Sequence, residues 1–268
     1  MTTPWLSRFA PRPAARMRLF CFSYAGGGAA VFRPWALAMP ADIEVAAVML
    51  PGRESRLREA PIRRMSDLLA ALVPALEPQL DRPFAFFGHS MGSLVAFEVA
   101  RALQRRGGPA PQRLLISGRR APHLAEREPT IHQLDDDAFV AEIQRRYNGI
   151  PPEVLQYPEL LELLLPALRA DMSVIETHRP HDEGREPEPF RGPISVFGGR
   201  DDARATRQEL EGWQAHTPEP LVLRQFAGGH FYFSDTQTRD ALIAAVAADL
   251  RSHLAPRAEA AQAAGGRC

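Results

Sequence analysis

Residues 88–92, with the sequence GHSMG, are the stretch best suited to chemistry, because they hold Ser90 between two glycines. A short apolar run of strand type, residues 84–87, leads into them, and a helix-patterned segment follows directly. This succession of strand, sharp turn and helix exposes a serine at the tip of a sheet as a nucleophile. Glycine has no Cβ, so strand and helix can pack closely around a strained turn. The alternative interpretation is that Ser90 only caps the helix that follows.

A serine hydroxyl is a poor nucleophile near neutral pH, so it needs a base, and the base needs an acid that orients it. Among the eight histidines, His230 is the candidate base, because it follows a predicted strand end in a Gly-Gly turn from which a loop can reach Ser90. His89 is adjacent to Ser90 and is expected to point away from it. The other histidines fall in a predicted lid or on predicted helices: His123, His132, His178, His181, His216 and His253.

Two adjacent carboxylates, Asp201 and Asp202, follow the predicted strand 194–197 and are the candidates for the orienting acid. In α/β-hydrolases, the loop that carries the acid commonly reads Gly-x-x-Asp, which favours Asp202 and leaves Asp201 as the alternative. The chain order Ser90, Asp202, His230 is the nucleophile–acid–base order of α/β-hydrolases. Asp202 would hold the tautomer of His230, and His230 would accept the proton of Ser90.

A glycine-rich turn, residues 23–28, follows an early predicted strand and is compatible with two roles. Such a turn can bind phosphate, but G-x-G-x-x-G is not matched and the chain contains no lysine, which argues against a nucleotide site. Beside a serine nucleophile, the same turn can aim a backbone N–H at the substrate oxygen. The N–H groups of Ala25 and Met91 are therefore the candidate donors of an oxyanion hole.

Strand and helix patterns alternate along most of the chain, which favours a mostly parallel central sheet flanked by helices. With the order of the candidate residues, this predicts an α/β-hydrolase fold. From about residue 121 to 189 the alternation gives way to helical segments at 135–147 and 159–177, interpreted as a lid inserted over the site. Residues 1–254 are predicted to form one domain, and residues 255–268 a disordered tail.

Composition argues against several classes of function. Basic and acidic residues balance at 32 each, so no global positive field favours nucleic acid. Cys21 and Cys268 give neither a disulfide framework nor metal-ligand spacing, and the acids at 135–137 fit a helix start better than a metal site. The first residues lack the apolar core of a secretory signal, and no apolar run approaches the roughly 20 residues that span a bilayer. We therefore expect a cytoplasmic protein that binds neither membrane nor nucleic acid.

Seven short motifs resemble, in order, those of the stand-alone (type II) thioesterases that accompany polyketide synthases and nonribosomal peptide synthetases. The resemblance extends from about residue 17 to 250, nearly the whole chain, and the ordered set is specific. The motifs are FSYAGG at 22–27, FRPW at 32–35, LPGRE at 50–54, FFGHSMG at 86–92, LRAD at 168–171, FGGRDD at 197–202 and FAGGHF at 226–231.

The resemblance implies hydrolysis of acyl groups from the phosphopantetheine thiol of carrier domains, which would clear stalled or wrongly primed chains. The family's catalytic residues match Ser90, Asp202 and His230, and its oxyanion donors match Ala25 and Met91. The protein itself would need no cofactor, because the substrate carries the phosphopantetheine. Its partners would be acyl or peptidyl carrier domains of a polyketide synthase or nonribosomal peptide synthetase.

Two other functions are compatible with the sequence: a general carboxylesterase or lipase with the same catalytic residues, and a catalytically silent binding partner with a hydrolase fold. A cluster of arginines after the second predicted strand is open to two interpretations, a solvated face or a surface that docks an acidic carrier domain. Its members are Arg53, Arg56, Arg58, Arg63 and Arg64.

Overall fold

The structure, a computed structural model, describes residues 3–179 and 188–254. Within these ranges seven strands form one sheet: β1 (Leu6–Ser7), β2 (Met17–Phe22), β3 (Ile43–Val48), β4 (Phe84–His89), β5 (Leu114–Ser117), β6 (Ile194–Gly199) and β7 (Val222–Phe226). Their order across the sheet is β1-β3-β2-β4-β5-β6-β7, and all neighbours are parallel except β1 and β3. The predicted mostly parallel sheet is confirmed, and β4, which leads to the candidate nucleophile, lies at its centre.

Eight α-helices accompany the sheet in the same ranges: α1 (Arg33–Ala38), α2 (Met65–Leu76), α3 (Met91–Arg105), α4 (Asp136–Tyr147), α5 (Pro152–Leu155), α6 (Pro158–Thr177), α7 (Arg207–Glu211) and α8 (Thr236–Leu254). Helices α4 to α6 lie between β5 and β6, where the sequence predicts helical segments in place of the alternation. The short helix α5 was not predicted. Helix α6 packs against α2 and α3.

Helices cover both faces of the sheet because successive side chains of a strand point to opposite faces. In β4, Phe86 packs in the apolar core formed with α2 and α3, whereas Phe87 packs in the core formed with α1 and α8. The ring of Trp35 in α1 lies 4.4 Å from that of Phe87, measured between centroids. A strand buried on both faces is apolar almost without interruption, which explains the run at residues 84–87.

Strand β1 was not predicted, because two residues are too few for a recognisable alternation. Leu6 pairs with Val48 and Ser7 with Ala47, which adds an antiparallel edge to the sheet. The predicted tail, residues 255–268, lies outside the described residues. No helix in ranges 3–179 and 188–254 combines the length and apolar character needed to cross a bilayer.

Candidate active site

Ser90 lies in the turn between β4 and α3, with backbone φ 53° and ψ −114°. A positive φ is unfavourable for a residue with a side chain and persists only where the surroundings hold it. Here the Ser90 N–H donates a hydrogen bond of 2.8 Å to the carbonyl of Ser117, the last residue of β5. The neighbouring strand thus fixes the turn that carries Ser90.

Two glycines allow the close packing around this turn. A Cβ at Gly88 would lie 2.2 Å from the carbonyl oxygen of Gly92, and a Cβ at Gly92 would lie 2.1 Å from that of Phe22. Both obstacles are backbone atoms, which cannot move aside as a flexible side chain could. The expected role of these glycines in close packing is confirmed, and the second contact brings the loop after β2 directly against the Ser90 turn.

Ser90 is hydrogen-bonded to His230, which is in turn hydrogen-bonded to Asp202. The Ser90 Oγ lies 3.0 Å from His230 Nε2, and His230 Nδ1 lies 2.9 Å from Asp202 Oδ2. All three residues are at least nine-tenths buried. Ser90 occupies the N-cap position of α3, but its side chain makes no capping hydrogen bond. The arrangement can remove a proton from the hydroxyl and stabilise the imidazolium that results.

The structure brings Asp202, rather than Asp201, to His230. The second oxygen of Asp202 accepts a hydrogen bond of 2.8 Å from the N–H of Arg204, whereas Asp201 is exposed. The loops after β6 and β7 meet so closely that a Cβ at Gly199 would lie 2.2 Å from the carbonyl of Gly229. This contact positions the loop of the acid against the loop of the base.

His89 is held away from Ser90, as expected. Its ring is fully buried, and its Nδ1 lies 2.9 Å from the Ser117 hydroxyl, which lies 2.7 Å from that of Tyr232. Burial, together with the nearby His230, lowers the pKa of His89 well below its usual range, so the ring stays neutral.

The remaining histidines of the described ranges have other partners. His123 Nδ1 lies 2.8 Å from His216 Nε2, and His132 Nδ1 lies 2.6 Å from a carboxylate oxygen of Glu176. His178 Nε2 lies 3.3 Å from a carboxylate oxygen of Glu98. His181 and the side chain of His253 lie outside the described part of the chain.

The two candidate oxyanion donors lie on backbone segments that adjoin the Ser90 turn. Met91 is the first residue of α3, so its N–H belongs to the helix-terminal donors that lack a partner within the helix. Ala25 lies in the loop after β2, beside Gly26, whose own N–H donates to Asp171 at 2.8 Å. Their role in binding an oxyanion stays a prediction.

A cavity of about 360 Å³ opens beside Ser90 and His230. Residues of the loop after β5 and of helices α4 and α6 form much of its wall. This wall is charged: it contains Arg119, Arg120, Arg146, Arg179 and Arg204, together with Glu126, Glu128 and Glu176.

Sequence reasoning missed these wall residues, although two signals were present. Arg119 comes two residues after the end of β5, and Arg204 comes two residues after Asp202. The Arg204 guanidinium lies 5.1 Å from the ring centroid of Tyr147, and the Tyr147 ring lies 5.5 Å from that of His230. Side chains at the ends of parallel strands converge on one edge of a sheet, which is where this wall stands.

The arginine cluster considered for docking is divided by the structure. Arg53 is buried against Asp171, and Arg56 is buried with its guanidinium 4.1 Å from the centroid of the Trp5 ring. Neither can be presented to a partner, so the docking hypothesis is wrong for these two. The other three are exposed: Arg58, Arg63 and Arg64.

The acidic run at 135–137 begins a helix, as predicted. The Asp135 carboxylate caps α4 by accepting a hydrogen bond of 2.9 Å from the N–H of Ala138. Asp136 forms an ion pair of 2.6 Å with Arg169. Across residues 3–179 and 188–254, no three His, Cys, Asp or Glu side chains are grouped to hold a metal ion.

The chain is similar to thioesterases along most of its length. A family model described as the thioesterase domain matches residues 17–250. The gramicidin S biosynthesis protein GrsT of Aneurinibacillus migulanus is 38% identical over 253 residues, 94% of this chain and 96% of that protein. Thioesterase PikA5 of Streptomyces venezuelae is 42% identical over 234 residues, 86% of this chain and 80% of that protein.

A solved structure gives the same result for the fold. The type II thioesterase BorB from the borrelidin biosynthetic cluster matches with a TM-score of 0.82 at 37% identity, covering 94% of this chain and 99% of that one. The sheet topology and this likeness confirm the predicted α/β-hydrolase fold.

Proposed function

Because this chain belongs to the thioesterase family, among its type II members, we propose that its hydrolysis of thioesters releases acyl groups from the phosphopantetheine thiol of carrier domains. The observation that carries the proposal is the hydrogen-bonded series from Ser90 through His230 to Asp202, buried beside a cavity. The released groups would be stalled or wrongly primed acyl chains. The protein would need no cofactor of its own, since the substrate brings the phosphopantetheine.

In the proposed first step, His230 Nε2 accepts the hydroxyl proton of Ser90 while Oγ attacks the thioester carbonyl carbon. Asp202 stabilises the resulting imidazolium through Nδ1. The N–H groups of Ala25 and Met91 bind the oxyanion, and each such donor typically lowers the barrier by about 3–4 kcal/mol. The carbon–sulfur bond then breaks, His230 gives its proton to the departing sulfur, and an acyl-Ser90 ester remains.

In the second step, a water molecule gives a proton to His230 Nε2 and its oxygen attacks the acyl-Ser90 carbonyl. The same donors bind the second oxyanion. When the ester bond breaks, His230 returns the proton to the Ser90 Oγ, and the carboxylic acid leaves. Both steps use one base, and the enzyme is restored.

The first test is thiol release from an acetyl- or propionyl-loaded carrier domain by the wild type and by Ser90→Ala. We expect rapid release that falls by at least about 10⁴-fold in the variant. Brisk cleavage of a p-nitrophenyl ester with no release from any loaded carrier would instead support a general esterase. Silence on both substrates would support a catalytically silent binding partner.

We further propose that the carrier docks on the basic surface formed by Arg58, Arg63 and Arg64. These side chains are exposed, and their loop adjoins the glycine-rich loop, because the Arg53 side chain reaches the carbonyl of Gly27. Charges at the rim of an interface mainly change the association rate and its salt dependence. Exposed Glu54, Glu59 and Asp67 lie in the same stretch, so the three arginines suit a weakly bound, transient acidic partner.

Reversal of all three charges to glutamate should raise KM for an acylated carrier about 10-fold and leave KM for an acyl-pantetheine thioester unchanged. A control reverses two other exposed arginines, Arg105 and Arg106, where α3 ends, far from its start at the site. Unchanged turnover of the carrier substrate in the triple variant would remove this docking surface.

A further inference from the structure

Two of the seven motifs that resemble those of type II thioesterases, at 50–54 and 168–171, have no role in the proposed chemistry. They nevertheless meet in a buried ion pair. Arg53, from the motif at 50–54, donates to both oxygens of Asp171, from the motif at 168–171, at 2.7 and 2.8 Å. Arg53 is 7% exposed and Asp171 2%. Asp171 belongs to α6, so the pair joins this helix to the loop after β3.

The same pair holds the backbone on the C-terminal side of Ala25. Oδ2 of Asp171 accepts the N–H of Gly26 at 2.8 Å, and the Arg53 guanidinium donates to the carbonyl of Gly27 at 3.1 Å. Gly26 has φ +76°, a conformation that residues with a side chain rarely adopt. The two side chains thus fix the peptide that directly follows the candidate oxyanion donor.

A neighbouring residue holds the far end of the same loop. Glu54 has φ 50°, and its Oε1 accepts the N–H of Ala30 at 2.8 Å. A Cβ at Gly28 would lie 2.1 Å from that oxygen, so the carboxylate is pressed against the loop. Together with the turn bond from the Gly27 N–H to Tyr24 and the bond from the Ser23 hydroxyl to the Gly27 carbonyl, these contacts anchor the glycine-rich segment at several points.

Stability is a poor explanation for the pair. Removing two charges from water costs free energy that their attraction often fails to recover, and apolar replacements are frequently as stable. Burial by itself would lower the pKa of Arg53, but the charge and hydrogen bonds of Asp171 outweigh it and raise that pKa. Nε of Arg53 has no hydrogen-bond partner among the described residues. What the pair does provide is a fixed position for Gly26 and Gly27.

We infer that Arg53 and Asp171 are positioning residues, which orient the Ala25 N–H to bind the oxyanion. Helix α6, which carries Asp171, therefore contributes to the oxyanion hole. The inference rests on the proposed serine mechanism. Helix α6 also contributes Met172 and Ile175 to the wall of the cavity. The helix that lines the cavity therefore also holds the loop of the candidate oxyanion donor.

The test is the double variant Arg53→Met/Asp171→Leu, which replaces both charges with apolar side chains. We expect kcat on a propionyl-loaded carrier to fall about 10- to 100-fold with KM changed less than about threefold, because the loss is confined to the transition state. The urea midpoint should fall modestly, because the apolar pair leaves the Gly26 N–H without its acceptor. Affinity for an alkylboronic acid, which forms a tetrahedral adduct on serine, should fall by the same factor as kcat.

The control is Arg224→Met/Asp249→Leu, because Arg224 and Asp249 also form a bidentate pair, with both distances 2.7 Å, but join β7 to α8, where Arg224 is partly exposed. This variant should keep the kcat and boronate affinity of the wild type. If the Arg53/Asp171 variant is too unstable, Asp171→Asn is measured at temperatures where circular dichroism shows it folded, and a smaller loss of kcat with a parallel loss of boronate affinity is expected.

Wild-type kcat in a folded Arg53/Asp171 variant would overturn the inference, as would a loss of kcat with unchanged boronate affinity. If the proposed function itself is wrong, the wild type will release no thiol from the same carrier. That result distinguishes failure of the proposed function from failure of this inference.

Discussion

The two sides of the cavity are built on different principles. On one side, Ser90, Asp202 and His230 follow strand ends in short turns, and their loops meet backbone to backbone at glycines. On the other side, long charged side chains from distant segments pair with one another, as Arg204 does with Glu128, 76 residues away. The first side depends on main-chain geometry, and the second on pairs of side chains.

This difference corresponds to different requirements of the chemistry. Proton transfer and oxyanion binding need atoms held within a few tenths of an ångström, which tight turns provide. A wall that only accommodates an acyl group does not need such precision, so it can be built from side chains that tolerate substitution. Substitutions on the first side, and in the Arg53–Asp171 pair that holds its glycine-rich loop, should therefore change kcat, whereas those in the charged wall should mainly change stability or substrate preference.

The largest expected effect comes from the orienting acid. Asp202→Asn should lower kcat about 10⁴-fold, because the amide cannot stabilise the imidazolium and favours the wrong tautomer of His230. Asp201→Asn is the matched control, since its exposed side chain lies one residue away, and it should keep full activity. Both are measured as thiol release from a loaded carrier. Equal losses in the two variants would contradict the assignment of the acid.

Much of this first side could be predicted from the sequence, because each residue carries a local mark. Ser90 lies between two glycines, Asp202 completes Gly-x-x-Asp, and His230 follows Gly-Gly. The pairing of Arg53 with Asp171, 118 residues apart, could not be predicted in this way. Nothing in the sequence around either residue says that they meet, because only the packing of α6 on the body brings them together.

The charged wall escaped prediction for the same physical reason. Arg119 and Arg204 stand beside the site because parallel strands end at one edge of the sheet, and the carboxylates they pair with, Glu126 and Glu128, come from the loop between β5 and α4. The arginines at 53–64 show the opposite case, because there the sequence pattern predicts exposure and the structure contradicts it for two of the five. A run of like charges suggests a solvated face, yet Arg53 and Arg56 are buried, because one meets a carboxylate and the other a tryptophan ring.

A smaller effect concerns the pH dependence of stability at His216, which contacts His123 in the wall of the cavity. Burial, and then the charges of His123 and Arg101, lower the pKa of His216 to about 4. Between the unfolded value near 6.5 and that value, the unfolded chain binds a proton that the folded chain does not, so stability falls as pH falls. From pH 7.5 to 5 this histidine should cost about 2 kcal/mol of unfolding free energy.

His216→Gln should remove that part of the acid sensitivity, measured as the difference in unfolding free energy between pH 7.5 and 5. His89, whose pKa is also lowered, contributes equally in both proteins and cancels in the comparison. The same pH dependence in wild type and variant would show that His216 already titrates normally in the folded state.

The smallest effect is expected at the start of α4. Asp135→Ala removes the carboxylate that caps this helix and should lower the free energy of unfolding by about 1 kcal/mol, measured by urea. Asp137→Ala, two residues on, removes an exposed charge in the first turn without removing a cap, so its loss should be smaller. A larger loss at Asp137 than at Asp135 would contradict the capping geometry. In both variants kcat should be unchanged, since neither residue is on the catalytic side.

The central claim, that Ser90 carries the acyl group between carrier and water, is tested most directly by the mass of the enzyme during turnover. Wild-type protein is mixed with propionyl-loaded carrier, quenched in acid within milliseconds and digested. We predict one propionyl group on the peptide that contains Ser90, and none in Ser90→Ala. Acylation of a different peptide, or the same acylation in Ser90→Ala, would contradict the account.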